Sequence, residues 1–173
     1  MQINQVNISY LPVEDRLLMC INTLDGAEFR FCFTRAVVSS MLTGLAHSEH
    51  RLVPSDVPPM LNPSAREAVE QFQREASIAQ ADFKTKFAAN ASSFPLGEKS
   101  LLVTKLEIRI VGDQAALAFT LLTNQVVTIN LKPLLVASVN KLLCDVVRGI
   151  DWNLPFFSIK RPIIRMNESE TLH

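Results

Sequence analysis

Two stretches of alternating apolar and polar residues, separated by a short break, constrain the fold of this 173-residue chain most strongly. Their apolar positions are Leu17, Met19, Ile21, Phe29, Phe31 and Phe33. A period of two is typical of half-buried strands. A two-residue Asp25-Gly26 turn would place the two apolar rows on opposite faces, whereas a three-residue loop, Leu24-Asp25-Gly26, places both on one face. The sequence therefore predicts an antiparallel hairpin with this three-residue loop, in which Gly26 adopts a positive φ.

A further strand and a helix flank the hairpin. Val6, Ile8 and Tyr10 alternate with polar residues and predict a strand before it. After Thr34, a favourable N-cap residue, the apolar spacing changes to the threes and fours of an amphipathic helix. The positions in that helical stripe are Val37, Val38, Met41, Leu42 and Leu45. The predicted order of elements over residues 1–47 is βββα.

The same pattern returns 98 positions later. An ungapped alignment places six apolar positions of the first stretch on six apolar positions of the second: Ile8 on Leu106, Tyr10 on Ile108, Ile21 on Phe119, Phe29 on Val127, Phe31 on Ile129 and Phe33 on Leu131. Gly26 falls on Asn124, and Gly and Asn are the residues that most readily adopt the left-handed conformation. Pro133 then opens a second helix, which stops at Gly149. The sequence thus predicts a second βββα unit over residues 101–150 and structural duplication of the chain.

A proline-rich connector and one long helix separate the two units, over residues 48–100. Ala46–Leu61 is expected to be extended because of its prolines. Ser64-Ala-Arg-Glu67 has the form of a capping box and opens a helical pattern that reaches roughly Ala89. Its apolar seam is narrow and rich in alanine, which favours packing on the protein's own body over a coiled coil. The expected fold class is α+β: two tandem βββα units with an intervening long helix.

Composition restricts the classes of function. Lys plus Arg and Asp plus Glu number 17 each, so no net charge attracts nucleic acid or an acidic membrane. The three cysteines are too few for a disulfide framework, and no run is long and apolar enough to span a bilayer. A cytoplasmic location without membrane contact is expected. No phosphate-binding loop, nucleophile motif or convergent polar set is present, so we expect neither an enzyme nor a cofactor.

One short motif could bind a metal. His47 and His50 stand three residues apart with Glu49 between them, a spacing that places both imidazoles on one helical face. Two histidines and one carboxylate form an incomplete site, and the polar end of a solvated helix is the favoured interpretation. No metal is therefore expected, and these three residues are kept as weak candidates.

The C-terminal segment, residues 151–173, is the most suggestive of function. Apolar and aromatic residues alternate there with basic ones, and two prolines forbid a continuous helix. The candidate partner-binding residues are Trp152, Phe156, Phe157, Lys160, Arg161 and Arg165. An extended arm this apolar is expected to dock on its own sheets or on a second subunit. Aromatic side chains beside basic ones are also the chemistry of single-strand binding.

Two resemblances accompany these patterns. At the level of topology alone, tandem sheet-and-helix units resemble the Whirly and Pur-alpha-like single-stranded-nucleic-acid binders. Residues 10–35, YLPVEDRLLMCINTLDGAEFRFCFTR, look like the opening of a family of uncharacterised bacterial proteins. This chain departs from that family's pattern at Cys20, near Cys32 and at Ala36. The second resemblance implies a bacterial origin and carries no assigned activity.

The sequence therefore favours a non-enzymatic bacterial binding or assembly protein. The expected partner is a second copy of the chain or another protein. A single-stranded nucleic-acid-binding protein is the alternative, which the mixed charges of the predicted solvent faces do not favour.

Overall fold

A computed structural model describes residues 2–52, 62–79, 85–88 and 91–154. The class is α+β, as predicted: helices pack on one mixed six-stranded sheet. The elements are β1 (Ile3–Leu11), β2 (Arg16–Thr23), β3 (Glu28–Phe33), α1 (Arg35–Leu52), α2 (Pro63–Ala79), β4 (Leu101–Val111), β5 (Gln114–Leu121), β6 (Val126–Leu131) and α3 (Pro133–Arg148).

The strands lie in the sheet in their sequence order, β1 to β6. Every neighbouring pair is antiparallel except β3 and β4, which run parallel and pair Phe31–Phe33 with Leu101–Val103. A parallel pair requires a crossover connection, and α1 and α2 supply it between β3 and β4. The two meanders therefore belong to a single sheet.

The predicted hairpin register is confirmed. Ile21 pairs with Phe29, and the rest of the β2–β3 ladder follows in step. The Thr23 N–H donates to the Ala27 carbonyl at 2.9 Å across the three-residue loop. Gly26 has a φ of 80° and Asn124, its counterpart in the second hairpin, has a φ of 64°. In both loops, the residue that was expected to adopt the left-handed conformation therefore does so.

The ungapped correspondence of 98 positions holds from the second strand onward and is wrong for the first. Met19 pairs with Phe31 and Leu117 pairs with Ile129, which is the same register 98 positions apart. However, Met19 also pairs with Ile8, whereas Leu117 pairs with Ile108, 100 positions after Ile8. The cause is the β4–β5 turn, which has two residues against four in the β1–β2 turn. A shift of two keeps every side chain on its predicted face.

The core lies between the sheet and helices α1 and α3. Phe119 packs edge-on against Phe31 and Phe33, with ring centroids 5.1 and 5.3 Å apart. These three rings cross the parallel seam and join the two halves of the sheet. The predicted stripe of α1 is confirmed, since all five of its residues are buried. Gly44 lets α1 approach β4 closely, because a Cβ there would lie 2.7 Å from Cδ1 of Ile108.

The sheet curls around its helices. The backbone of α3 comes close to β5, β6 and β1, but not to the three strands between them, β2 to β4. Five strand spacings of about 4.8 Å would separate the edges of a flat sheet by about 24 Å. A helix can reach both edges without crossing the centre only if the edges converge on it. Helix α1 packs on α3 and on β4, and it also contacts β2, β3 and β5.

Three predictions about the connecting region are wrong. Residues 46–52 are helical because α1 runs on to Leu52, and residues 53–61 lie outside the described ranges. Helix α2 ends at Ala79, and residues 85–88 are not helical. Its cap is Asn62 rather than Ser64: the Asn62 Oδ1 accepts the Ala65 N–H at 2.8 Å. Asparagine is as good a cap as serine, and it leaves Pro63 at the first helical position.

Helix α2 contacts α3, in line with packing on the protein's own body. Its seam is only partly covered, since Ala65 and Val69 are half-buried and Phe72 is 71% exposed. Within the described ranges, no helix combines the length and the apolar character needed to cross a bilayer.

Candidate functional site

The segment after α3 is anchored on Asp15, in the turn between β1 and β2. The Trp152 Nε1–H donates to Asp15 Oδ1 at 2.5 Å, and the Tyr10 hydroxyl donates to the same oxygen at 2.9 Å. Arg35, at the start of α1, donates to Oδ2 at 3.1 Å and lies over the indole ring. The Tyr10 and Trp152 rings meet edge to face, 5.8 Å apart. One carboxylate thus ties β1, α1 and the tail together.

Electrostatics favour the charged form of this carboxylate. Hydrogen bonds from the indole and the phenol, together with the guanidinium of Arg35, hold the pKa of Asp15 below its usual value. The same Asp15 contact raises the pKa of Tyr10, because losing the phenolic proton would destroy a hydrogen bond and bring two negative charges together. Asp15 has a φ of 50°, a left-handed conformation that aspartate tolerates in turns.

Trp152 serves as an intramolecular anchor. It is 3% exposed, and Leu154 beside it is also buried in the core. For the described part of the arm, residues 151–154, docking is therefore on the chain itself. The other predicted partner-binding residues, Phe156, Phe157, Lys160, Arg161 and Arg165, lie outside the described residues.

The histidine motif does not converge on a metal in this structure. His47 and His50 are exposed on α1, whereas Glu49 is buried against α3, where its Oε2 accepts the Asn140 Nδ2–H at 2.8 Å. Asn140 Oδ1 in turn lies 3.8 Å from the Cys144 sulfur. Among the described residues, no group of three or more His, Cys, Asp or Glu side chains could hold a metal ion. Glu49 instead forms a polar bridge between two core helices.

The cysteines are buried free thiols. Cys20 pairs with Arg30 and Cys32 pairs with Leu18, so the two cysteines are diagonal neighbours, as predicted. Burial raises the pKa of Cys20, which keeps its thiol protonated and unreactive. Cys144 lies in the core face of α3, also as predicted.

A covering segment, residues 85–88 and 91–98, lies on the outer face of the first half of the sheet. Gln5 in β1 bonds through its side-chain amide to the carbonyl of Lys86 and the N–H of Ala88. Asn22 in β2 donates to the Ala88 carbonyl at 2.6 Å. The outer face of β1 and β2 is therefore occupied by the chain's own connector.

The same segment continues along β3. The Glu28 N–H donates to the Ser93 carbonyl at 3.0 Å, and Arg30 lies over the Phe94 ring. The buried carboxylate of Glu28 accepts from Arg30 Nε at 2.6 Å and raises the pKa of that arginine. Nothing in the sequence predicts this contact, because a polar pair on a strand is typical of a solvated face and no local pattern marks the connector that covers it.

The equivalent face of the second half carries no such cover among the described residues. Its basic residues, Lys105 and Arg109, both bind Glu107, at 2.7 and 2.6 Å. These two contacts hold the pKa of Glu107 low, and the three side chains together keep one net positive charge. Ala116 and Ala118 form its small-residue floor on β5.

Strand β6 is an open edge of the sheet. Among the helices and strands of the described ranges, only β5 and α3 contact it, and the side chains of Val126, Thr128 and Asn130 are exposed. The Leu121 N–H donates to the Gln125 carbonyl at 2.8 Å, and the ladder continues through the pairs Phe119 with Val127 and Leu117 with Ile129. Antiparallel hydrogen bonds alternate, so the N–H and C=O groups of the intervening residues point away from β5. The outward-pointing residues are Val126, Thr128 and Asn130.

This edge has none of the usual protection against pairing. Natural proteins guard edge strands with charges, prolines or bulges. Strand β6 reads VVTINL, without a charge or a proline, and its ladder with β5 is unbroken. Val126 is 58% exposed. Such a strand is a ready template for another strand.

Comparison with known proteins gives no family assignment. No family model matches the chain, no curated protein matches its sequence, and no solved structure matches its fold.

Proposed function

We propose that this chain is a non-enzymatic bacterial binding or assembly protein of the cytoplasm that acts as a homo-oligomer. The observation that carries the proposal is the edge of β6, which has no charged residue and pairs with no described strand other than β5. Unpaired N–H and C=O groups on a β-prone strand favour addition of a further strand. The polar groups that converge on Asp15 are engaged with one another and with Trp152 of the same chain.

Comparison of β6 with β3 supports the proposal. We interpret the two halves as structural repeats, in which β6 corresponds to β3 at the same hairpin register. The outward side of β3 is occupied twice, by Ser93 at its start and by β4 at its end. The corresponding side of β6 has no neighbour among the described residues. A strand from another chain would therefore bond to the outward backbone groups of β6, as Ser93 and β4 do to those of β3.

The electrostatics favour assembly over single-strand binding. A phosphate backbone requires cations that are not already matched by acids. On the outer face of β4–β6, Glu107 binds both Lys105 and Arg109, so these three side chains leave one net positive charge rather than a row of unmatched cations. Trp152, one of three aromatic residues considered for base stacking, is buried on its own chain, and the other two, Phe156 and Phe157, lie outside the described residues. Neither observation provides the basic, aromatic surface that single-stranded nucleic acid needs.

Light scattering across a wide concentration range tests the proposal. We expect a defined oligomer whose mass falls on dilution, while a chain that remains monomeric throughout would overturn the proposal. A truncation after Leu154 provides the matched comparison, because it removes residues 155–173 and leaves the Trp152 anchor intact. Loss of the oligomer in that variant alone would assign assembly to the arm rather than to β6. A labelled oligonucleotide bound with a steep salt dependence would support the alternative function.

A further inference from the structure

We infer that β6 pairs antiparallel with β6 of a second copy, about a two-fold axis that passes beside Thr128. The inference rests on the proposed homo-oligomer and specifies its partner and register. It follows from the direction of the free backbone groups of β6 together with the residues that would face one another. The result is a continuous twelve-stranded sheet, six strands from each copy.

The hydrogen-bond geometry restricts the register. Only Val126, Thr128 and Asn130 point their backbone groups away from β5, so only these residues can form hydrogen-bonded pairs with a new strand. When Thr128 of one copy faces Thr128 of the other, Val126 of each copy faces Asn130 of the other. These three residue pairs form about six backbone hydrogen bonds. A register centred on Val127 or Ile129 uses two of the three outward residues and forms about four.

The side chains suit this pairing. A strand without charged residues meets its own copy without repulsion, which is the simplest case of a self-complementary two-fold contact. Opposed threonines are a favourable cross-strand pair. On the inner face, Val127 of each copy lies opposite Ile129 of the other, so β-branched side chains meet on that side as well.

The other edge of the sheet is a weaker candidate. Strand β1 is also uncharged, but α3 packs on it and Trp152 covers the ring of Tyr10 near its end. Gln5 is engaged with the covering segment through two hydrogen bonds. Helix α3 contacts β6 as well, but the described residues show no side-chain attachment on β6 like those of Gln5 and Tyr10 on β1, so β6 is the edge that we expect a second copy to use.

Proline substitution at the axis tests the register. Thr128→Pro removes an N–H that the β5–β6 ladder does not use, and edge strands tolerate proline at such positions. We expect the variant to be folded by circular dichroism and monomeric by light scattering. Thr128→Ser keeps the N–H and should remain dimeric at the concentrations where the wild type is dimeric.

A charge variant keeps the test decisive if the proline variant fails to fold. Thr128→Lys places two like charges opposite each other at the axis and should also abolish the dimer. Thr123→Lys makes the same substitution in the exposed hairpin loop, off the pairing edge, and should not. A wild-type chain that is monomeric at every concentration refutes the proposed function and this inference together. A dimeric wild type whose folded Thr128 variants stay dimeric refutes the β6 pairing alone.

Discussion

Truncating Phe119 to alanine should be among the most damaging single substitutions in this chain. Phe119 is 0% exposed, and its ring packs edge to face against both Phe31 and Phe33. It lies in β5, whereas its two partners lie in β3, on the other side of β4. Its loss therefore removes the contact that joins the two halves of the core.

The expected cost can be estimated from the burial. Replacing a buried phenylalanine by alanine costs about 3–5 kcal/mol, the sum of lost transfer energy and a residual cavity. The two edge-to-face contacts account for about 0.5–1.5 kcal/mol each within that total. Because a domain is stable by about 5–15 kcal/mol, the loss is a large fraction of the free energy of unfolding.

Thermal unfolding followed by circular dichroism measures the effect. For a chain of this length, 1 kcal/mol shifts Tm by about 2–4 °C, so Phe119→Ala should lower Tm by about 6–20 °C. Phe72→Ala makes the same substitution at a side chain that is 71% exposed, and it should change stability by no more than about 0.5 kcal/mol. A double-mutant cycle with Phe31→Ala should show a coupling energy between the two rings. Equal Tm changes for Phe119→Ala and Phe72→Ala would refute the placement of the core.

Three further predictions concern the anchor, a loop and the helix bridge. Acidification should release Trp152, the only tryptophan, because the pKa of Asp15 is lowered in the folded state. The stabilisation from Asp15 is present above the unfolded-state pKa of about 3.9 and is lost as the pH falls through the folded-state pKa. A red shift of the Trp152 fluorescence that is absent in Asp15→Asn would show this, and a shift retained in that variant would contradict it. Gly26→Ala should lower the free energy of unfolding, measured in urea, by about 1–2 kcal/mol, because φ is positive there and the new Cβ would lie 2.5 Å from the Ser92 side-chain oxygen. An unchanged free energy of unfolding would argue against the loop conformation. Asn140→Leu should cost about 1–3 kcal/mol, because it removes the amide that donates to a buried carboxylate, and an unchanged urea midpoint would contradict the bridge.

The local parts of the fold could be predicted because their signals are local. The hairpin register follows from a parity argument: only a three-residue loop puts Ile21 and Phe29 on the same face. Helix α1 follows from a change of apolar spacing after Thr34, and its N-cap bond to Val37 is present at 3.5 Å. Gly26 and Asn124 mark their turns because few other residues adopt a positive φ readily.

The remaining parts depend on contacts between distant segments. Asp15 and Trp152 lie 137 residues apart, and an aspartate in a turn carries no sign that an indole will bind it. The parallel pairing of β3 with β4 depends on where the crossover returns the chain, which no pattern in either strand specifies. At the start of α2, Asn62 and Ser64 are comparable caps, and sequence alone did not distinguish them.

Amide hydrogen exchange along β6 tests the assembly proposal most directly. We expect the amides of Val127 and Ile129 to be protected at every concentration, because they bond to β5. The amides of Val126, Thr128 and Asn130 should be protected only at concentrations where the dimer forms. Fast exchange of these three amides at all concentrations, in a chain that light scattering shows to be oligomeric, would contradict pairing through this edge.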